Sequence, residues 1–130
     1  MTQARTAFLI VDDDDTIRRL LKRMMSGLDV TILEAESVQT AKNVFLEHQH
    51  VLSAVWTDIR LLDGSGVDLG SWIRSQMPRI PIVYLSGARI SDSGHFPDFD
   101  AQSHVLQKPF SKSMILDLCR EISFGPLTEG

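Results

Sequence analysis

The sequence predicts a doubly wound α/β domain, in which helices cover both faces of a parallel sheet. Short, β-prone apolar runs alternate along the chain with segments of helical periodicity. Such an alternation implies parallel strands joined by right-handed crossovers. The length of 130 residues, of which 43% are hydrophobic, fits one domain with one core. We therefore expect a single domain built on a five-stranded parallel sheet.

Five apolar runs are predicted to be the strands: residues 7–11, 30–33, 51–57, 80–85 and 103–107. The first helix should begin after Asp14 or Asp15 and end at Gly27, and Ser37 should cap a second helix that lies before residues 48–50. A third helix is predicted over residues 67–76. Residues 88–102 have little periodicity and are predicted to be mostly loop. Ser111 should cap a last helix.

The residue patterns of the first and last helices predict which of their side chains are exposed and which are buried. The basic residues of the first helix, including Arg18 and Arg19, lie opposite its apolar side and are interpreted as a solvated face. The apolar stripe of the last helix includes Met114 and Cys119, so both are predicted to be buried, and Cys119 is expected to be an unreactive core thiol.

The charge balance and the absence of export signals narrow the function classes. Thirteen Lys and Arg against seventeen Asp and Glu give a net charge of −4. Phosphate binding needs a clustered basic face, so we expect no direct nucleic-acid partner. The single cysteine cannot form an internal disulfide, and neither a signal peptide nor a membrane-spanning stretch is recognisable. The sequence therefore predicts a cytoplasmic protein that has no membrane partner.

Polar residues follow four of the five predicted strands. Asp12 and Asp13 follow the first strand, Asp58 the third, Ser86 the fourth and Lys108 the fifth. Because the carboxyl ends of parallel strands meet at one edge of a sheet, these side chains are expected to converge there. Each has a plainer interpretation when taken singly, as a helix cap, a turn residue or a surface lysine. Their common position at strand ends favours a functional site.

The chemistry of these residues points to a metal ion and a phosphoryl group. Three converging carboxylates repel one another unless a cation joins them. Mg²⁺ prefers oxygen ligands, so Asp13, Asp58 and a backbone carbonyl are expected to hold it, with Asp12 acting through water. A carboxylate on such an ion can be a nucleophile toward phosphorus, which fits the position of Asp58. Ser86 and Lys108 are then expected to stabilise the charge of the transferred group.

The same residues resemble the pattern of a known family, the response-regulator receiver domains of two-component signalling. The Val-Asp-Asp segment at residues 11–13 resembles the acidic pair after the first strand of that family, and Asp58 resembles its phospho-acceptor. Ser86 resembles the Ser/Thr position, and the Lys-Pro-Phe segment at residues 108–110 resembles the Lys-Pro segment. The resemblance covers nearly the whole chain. It implies the flavodoxin-like strand order 2-1-3-4-5.

The resemblance implies a switch controlled by phosphorylation. Asp58 would accept a phosphoryl group from the phosphohistidine of a histidine kinase, with Mg²⁺ on Asp13, Asp58 and the backbone carbonyl of Arg60. The domain would catalyse its own phosphorylation and dephosphorylation, so its status as an enzyme is left open. Phosphorylation adds about −1.5 to −2 charge at pH 7 and would shift a protein-interaction surface. The implied partners are a histidine kinase or phosphotransfer protein and a downstream protein, and a homodimer is left open.

Three positions depart from the pattern of the family. Leu62 stands where the family usually has a proline, four residues after the acceptor, so the Gly-rich residues 63–66 are expected to set this loop instead. Val105 stands where the family often has a switch aromatic residue, with His104 beside it. Arg60 resembles the position that lines the approach of the hydrolytic water, and we expect it to modulate the lifetime of the phosphate.

Two other classes of function stay open at the level of sequence. A receiver-like module could bind a partner regardless of phosphorylation, although it would have no need for the acidic set. The pattern Asp12-x-Asp14-x-Thr16 also resembles the opening motif of haloacid-dehalogenase-type phosphatases, with Asp12 as the nucleophile and Asp14 as the acid/base. That interpretation leaves Asp58 without a role. An EF-hand is excluded because isoleucine and arginine occupy its glycine and glutamate positions.

We expect a receiver domain over residues 1–125 and a tail over residues 126–130. The sequence does not distinguish a separate receiver from a piece of a larger regulator or hybrid kinase. It also leaves the cognate kinase and the downstream target open.

Overall fold

A computed structural model describes residues 7–87 and 102–124 of the chain, with side chains as far as residue 122. Its strands are β1 (Ala7–Val11), β2 (Thr31–Ala35), β3 (Leu52–Asp58), β4 (Arg60–Leu61), β5 (Gly64–Ser65), β6 (Ile82–Ser86) and β7 (Ser103–Gln107). Five of them form a parallel sheet in the order β2-β1-β3-β6-β7. Numbered within that sheet, the order is 2-1-3-4-5, so the predicted fold and strand order are confirmed. The other two, β4 and β5, form a small antiparallel hairpin.

The described residues form four α-helices: α1 (Asp15–Met24), α2 (Val38–His48), α3 (Gly66–Gln76) and α4 (Lys112–Phe124). A 3₁₀ turn, Gln49–Val51, joins α2 to β3. The side chain of Asp14 accepts a hydrogen bond from a backbone N–H in the first turn of α1, at 2.9 Å. The side chain of Ser37 does the same in the first turn of α2, at 3.1 Å. Ser111 does the same for α4, where the Met114 N–H donates to its Oγ at 3.2 Å. These three predicted caps are therefore confirmed.

The core consists of two apolar clusters, one on each face of the sheet. Successive strand residues point to opposite faces, so Leu9 packs with α2 and α3 while Ile10 packs with α1 and α4. All five residues of β1 are buried, which is expected for a central strand covered on both faces. Phe45 of α2 meets Trp72 of α3 edge to face, with their ring centroids 5.5 Å apart.

Several predicted boundaries and burial states were wrong. Helix α1 ends at Met24 rather than Gly27, because the chain turns there and buries Met25. Strand β6 begins at Ile82, since Pro81 before it has no N–H for the ladder. Met114 is 41% exposed, because the inward stripe of α4 is formed by Ile115, Cys119 and Ile122. Cys119 is buried as predicted, and burial raises the pKa of its thiol to about 11.

Two predictions lie outside the described residues: the loop at residues 88–101 and the tail at residues 126–130. In the part of the chain that is described, no helix has the length and apolar character needed to cross a bilayer.

Candidate functional site

The carboxyl edge of the sheet brings together three of the predicted acidic residues. Asp12 and Asp13 directly follow β1, and Asp58 is the last residue of β3, the strand beside it. Carboxylate oxygens of the three residues all lie within 4.8 Å of one another. Asp12 is fully buried, whereas Asp13 and Asp58 are half-buried. The predicted convergence of these side chains is therefore present in the structure.

Lys108 is the cation that faces this cluster. It follows β7, and its Nζ lies 3.2 Å from Asp12 Oδ2 and 3.4 Å from Asp58 Oδ2. Its backbone N–H also donates to the carbonyl of Ser86 at 2.7 Å, which fixes the start of its loop against the end of β6. The peptide bond to Pro109 is cis. Lys108 thus bridges two acidic residues that come from different strands.

The charged groups of the cluster shift one another's ionisation. Burial raises the pKa of Asp12, and the Asp58 carboxylate adds to this, against the opposing effects of the Asp14 N–H and of Lys108. Burial alone would lower the pKa of Lys108, but the carboxylates of Asp58 and Asp12 together raise it. The ammonium group is therefore held in its charged form at neutral pH. The protein meanwhile incurs a free-energy penalty for keeping Asp12 ionised without a further cation.

Asp12 is held from several directions, and one of the groups that hold it is Arg18. The Arg18 Nη1 donates to the backbone carbonyl of Asp12 at 2.6 Å, and its Nε donates to Glu34 at 3.1 Å. The Asp12 N–H donates to Ala35 in β2, and its Oδ1 accepts the Asp14 N–H at 2.9 Å. Only 14% of the Arg18 side chain is exposed. The prediction that Arg18 belongs to a solvated face was therefore wrong.

Asp58 sits at the base of the hairpin formed by β4 and β5. The Arg60 N–H donates to Asp58 Oδ1 at 3.3 Å, and the hydroxyl of the buried Thr57 donates to the Asp58 carbonyl at 3.0 Å. Gly66 packs directly against that carbonyl, because a Cβ atom at this position would lie 1.8 Å from the oxygen. Only glycine allows this close approach. Within the Gly-rich segment that follows Asp58, Gly66 is thus required by the packing of the site.

The remaining predicted residues lie at the same edge with different exposure. Ser86, the last residue of β6, is buried, and it pairs in register with Gln107. Arg60 is exposed at the start of the hairpin. Val105, at the position where the resembled family often has an aromatic residue, pairs in register with Tyr84, whose ring lies buried on the same face against Gly70.

Sequence reasoning missed the contacts of three residues that build the site: Arg18, Asp63 and Gly66. Their contacts join segments that are distant in sequence or depend on close packing. Asp63 accepts hydrogen bonds from two backbone N–H groups of α2, and the local pattern of the turn contains no information about this contact. The one available signal was the glycine density of residues 62–66, which indicated a turn but not its partner.

The donor set of this cluster fits a hard divalent cation. Three carboxylates face one ammonium group, so two negative charges are uncompensated when all four groups are ionised. Oxygen ligands of this kind suit Mg²⁺, which also keeps several waters. The described part of the chain contains neither histidine nor cysteine in this cluster, which argues against a softer metal. The acidic triad could therefore hold a metal ion.

Comparison with known proteins agrees with this arrangement. The family model of the response regulator receiver domain matches residues 8–120. The chain belongs to this family. Receiver domains typically use Mg²⁺ at the acidic site, and membership implies a cognate histidine kinase as partner. It also removes the phosphatase interpretation, since Asp14 caps α1 and is not part of the acidic cluster.

Curated relatives of this receiver domain are longer proteins. It is 31% identical over 106 residues to KdpE, the KDP operon transcriptional regulatory protein of Escherichia coli, covering 81% of this chain and 45% of KdpE. It is 32% identical over 83 residues to the response regulator protein PilR of Pseudomonas aeruginosa, covering 64% of this chain and 18% of PilR. The chain thus spans less than half the length of these relatives.

Solved structures share the fold. The signal receiver domain of an HD domain-containing protein from Pseudomonas fluorescens superposes with a TM-score of 0.83 at 20% identity, over 99% of this chain and 94% of that one. A response regulator receiver domain protein from Clostridium thermocellum superposes with a TM-score of 0.76 at 22% identity, over 95% of this chain and 98% of that one. At these identities the likeness establishes the fold alone.

Proposed function

We propose that this receiver domain accepts a phosphoryl group onto Asp58 from the phosphohistidine of a histidine kinase, in the presence of Mg²⁺. The observation that carries the proposal is the convergence of Asp12, Asp13 and Asp58 at one sheet edge, with Lys108 bridging two of them. Uncompensated negative charge beside a half-buried carboxylate is the environment in which a bound cation makes phosphoryl transfer feasible.

In the forward step, an oxygen of the Asp58 carboxylate attacks phosphorus and forms a P–O bond. The P–N bond breaks, and its electron pair stays with the imidazole nitrogen, which takes up a proton from solvent. Lys108 Nζ, 3.4 Å from Asp58 Oδ2, stabilises the charge on the transferred group. Ser86, at the end of the next strand, is assigned the role of hydroxyl donor to the phosphoryl oxygens.

Mg²⁺ would be held by Asp13, Asp58 and the backbone carbonyl of Arg60, with Asp12 acting through water. When bound, the ion neutralises negative charge on the carboxylates and on the phosphoryl oxygens. The buried position of Asp12 suits an indirect role, because its two carboxylate oxygens already accept bonds from the Asp14 N–H and from Lys108.

Phosphorylation is proposed to switch a protein-interaction surface, and later hydrolysis to reset it. The phosphoryl group adds about −1.5 to −2 charge at pH 7 beside Lys108 and Ser86, enough to shift a two-state surface. The exposed side chain of Arg60 is proposed to affect the approach of the hydrolytic water. An Arg60→Ala variant should therefore change the phosphate lifetime, and an unchanged lifetime would remove this role.

The first test is intact-mass spectrometry after incubation with Mg²⁺ and acetyl phosphate. The wild type should gain one phosphoryl group in a Mg²⁺-dependent manner, and Asp58→Asn should gain none. Asp29→Asn is the matched control, because it removes an exposed carboxylate in the turn before β2 and should be phosphorylated normally. No adduct on a folded wild type, together with no binding of beryllofluoride, would favour a phosphate-independent interaction module.

A further inference from the structure

The hairpin after the acceptor is anchored at its base. Arg60 and Leu61 of β4 pair with Ser65 and Gly64 of β5, which leaves residues 62–63 as the two-residue turn at the tip. At the base, the Gly66 N–H donates to the carbonyl of Ile59 at 2.7 Å. The turn contains no proline, whose ring would restrict the backbone, so the position of the tip depends on contacts with other parts of the chain.

Those contacts are made with the N-terminus of α2. Asp63 Oδ1 accepts the N–H of Val38 at 2.8 Å, and its Oδ2 accepts the N–H of Gln39 at 3.2 Å. The first N–H groups of a helix have no partner inside the helix, so this carboxylate satisfies two of them. The next, the N–H of Thr40, is taken by Ser37. Asp63 therefore completes the cap of a helix that lies 24 residues earlier in the chain.

The same hairpin also touches the acceptor and a second helix. Its Ser65 accepts the Val67 and Asp68 N–H groups at 3.0 and 3.3 Å and so caps α3. Its Arg60 N–H donates to a carboxylate oxygen of Asp58. A continuous path of contacts thus runs from the start of α2, through the hairpin, to the side chain that is proposed to carry the phosphoryl group.

We propose that Asp63 is a positioning residue, which holds the hairpin against α2 and thereby sets the affinity of the acidic cluster for Mg²⁺. The inference rests on the proposed function, since it concerns the cation bound beside Asp58. A hairpin that is already fixed leaves less backbone to order when the cation binds. Without the Asp63 anchor, cation binding would have to order the hairpin, and the entropic cost would reduce the observed affinity for Mg²⁺.

Two further features favour this role. Asp63 is exposed and contributes nothing to the apolar core, so its contacts with α2 are its main interaction in the described structure. The Val38 N–H, followed by that of Gln39, lowers the pKa of Asp63, so the cap is a charge-assisted contact at neutral pH. Gly64 beside it is also close to α2, because a Cβ there would lie 3.3 Å from Val38 Cγ2.

The test is a titration of the full, ¹⁵N-labelled chain with MgCl₂, followed by two-dimensional NMR. In the wild type, the Val38 and Gln39 amides should shift with the same midpoint as the Asp58 amide. In Asp63→Ala, the Mg²⁺ midpoint should rise about fivefold, if the whole of a typical helix-cap contribution is coupled to binding. Asp63→Asn should fall between the two, because its single amide oxygen can replace only part of the cap.

The matched controls are Asp68→Ala and Asp68→Asn, which remove an equal charge from the first turn of α3 without touching α2. Both should keep the wild-type midpoint. An equal rise in the Asp63 and Asp68 variants would show a general charge effect and overturn the inference. A wild-type midpoint in Asp63→Asn and Asp63→Ala would also overturn it, while the proposed function would stand. The absence of any Mg²⁺-dependent shift in the wild type would contradict both.

Discussion

The two loops beside the acidic cluster are held in place by different forces. The acidic loop, residues 12–14, is fixed by charged side chains: Lys108 contacts a carboxylate of Asp12, and Arg18 contacts its carbonyl. The hairpin, residues 60–65, is fixed by backbone pairing, by caps on two helices and by the close approach of Gly66. Lys108 lies between the two loops, because it contacts Asp12 of the acidic loop and Asp58, which precedes the hairpin.

This difference indicates which perturbations each loop should tolerate. A loop held by charges responds to pH and to the loss of one ionic partner, since a buried charge is then left without compensation. A loop held by close backbone packing responds to added volume instead. The following predictions separate the two kinds of anchoring, in order of decreasing effect.

Gly66→Ala should cause the largest loss of stability, at the base of the hairpin. The added Cβ would lie 1.8 Å from the Asp58 carbonyl, so backbone must move. We expect a loss of about 3 kcal/mol in the free energy of unfolding, measured with urea, and loss of phosphorylation by acetyl phosphate. The control is Gly27→Ala, where a Cβ meets no atom within 4 Å. Similar losses in both variants would contradict the packing argument.

Arg18→Met should weaken the acidic loop, whereas Arg19→Met should not. Both arginines pair with Asp15, but the Arg18 side chain is 14% exposed and that of Arg19 is 66% exposed. We expect Arg18→Met to cost about 2 kcal/mol in urea unfolding, because it leaves the Asp12 carbonyl without its charged donor. Arg19→Met should change the stability by no more than about 0.5 kcal/mol. Equal costs would show that Arg18 acts only as a surface charge.

Asp12→Asn should have the smallest effect on stability, and the opposite sign. The native pKa of Asp12 is raised above its ordinary value of 3.8. Between these two values the folded protein binds more protons than the unfolded one, so the free energy of unfolding falls as pH rises. Without Mg²⁺ at neutral pH, the variant should be more stable than the wild type by about 1 kcal/mol.

Urea unfolding at a series of pH values checks this last prediction. The advantage of Asp12→Asn should appear as pH rises from 3.8 through the native pKa of Asp12, and should vanish below that range. Adding Mg²⁺ should stabilise the wild type more than the variant, because a ligand stabilises the state that binds it. An advantage that is independent of pH would argue against Asp12 as its source.

The fold and most of the site were predictable from the sequence, because they depend on local pattern and on topology. Apolar runs in alternation with amphipathic helices determine the strands, and parallel strands bring their carboxyl ends to one edge. Asp12, Asp58 and Lys108 follow such strands, so their convergence required no knowledge of side-chain packing. The helix caps Asp14, Ser37 and Ser111 were predictable for the same reason, because each cap contacts a residue only two or three positions further along the chain.

Only the tertiary structure revealed how the site is held. The sequence identifies Arg18 as one of several basic residues on a helix, and its selection as the partner of Asp12 depends on how α1 packs beside β2. Asp63 caps a helix that lies far from it along the chain, and Gly66, which begins α3, is required by the carbonyl of Asp58 at the end of β3. Local periodicity determines which face of an element is buried. Contacts across elements depend on three-dimensional packing, which periodicity does not encode.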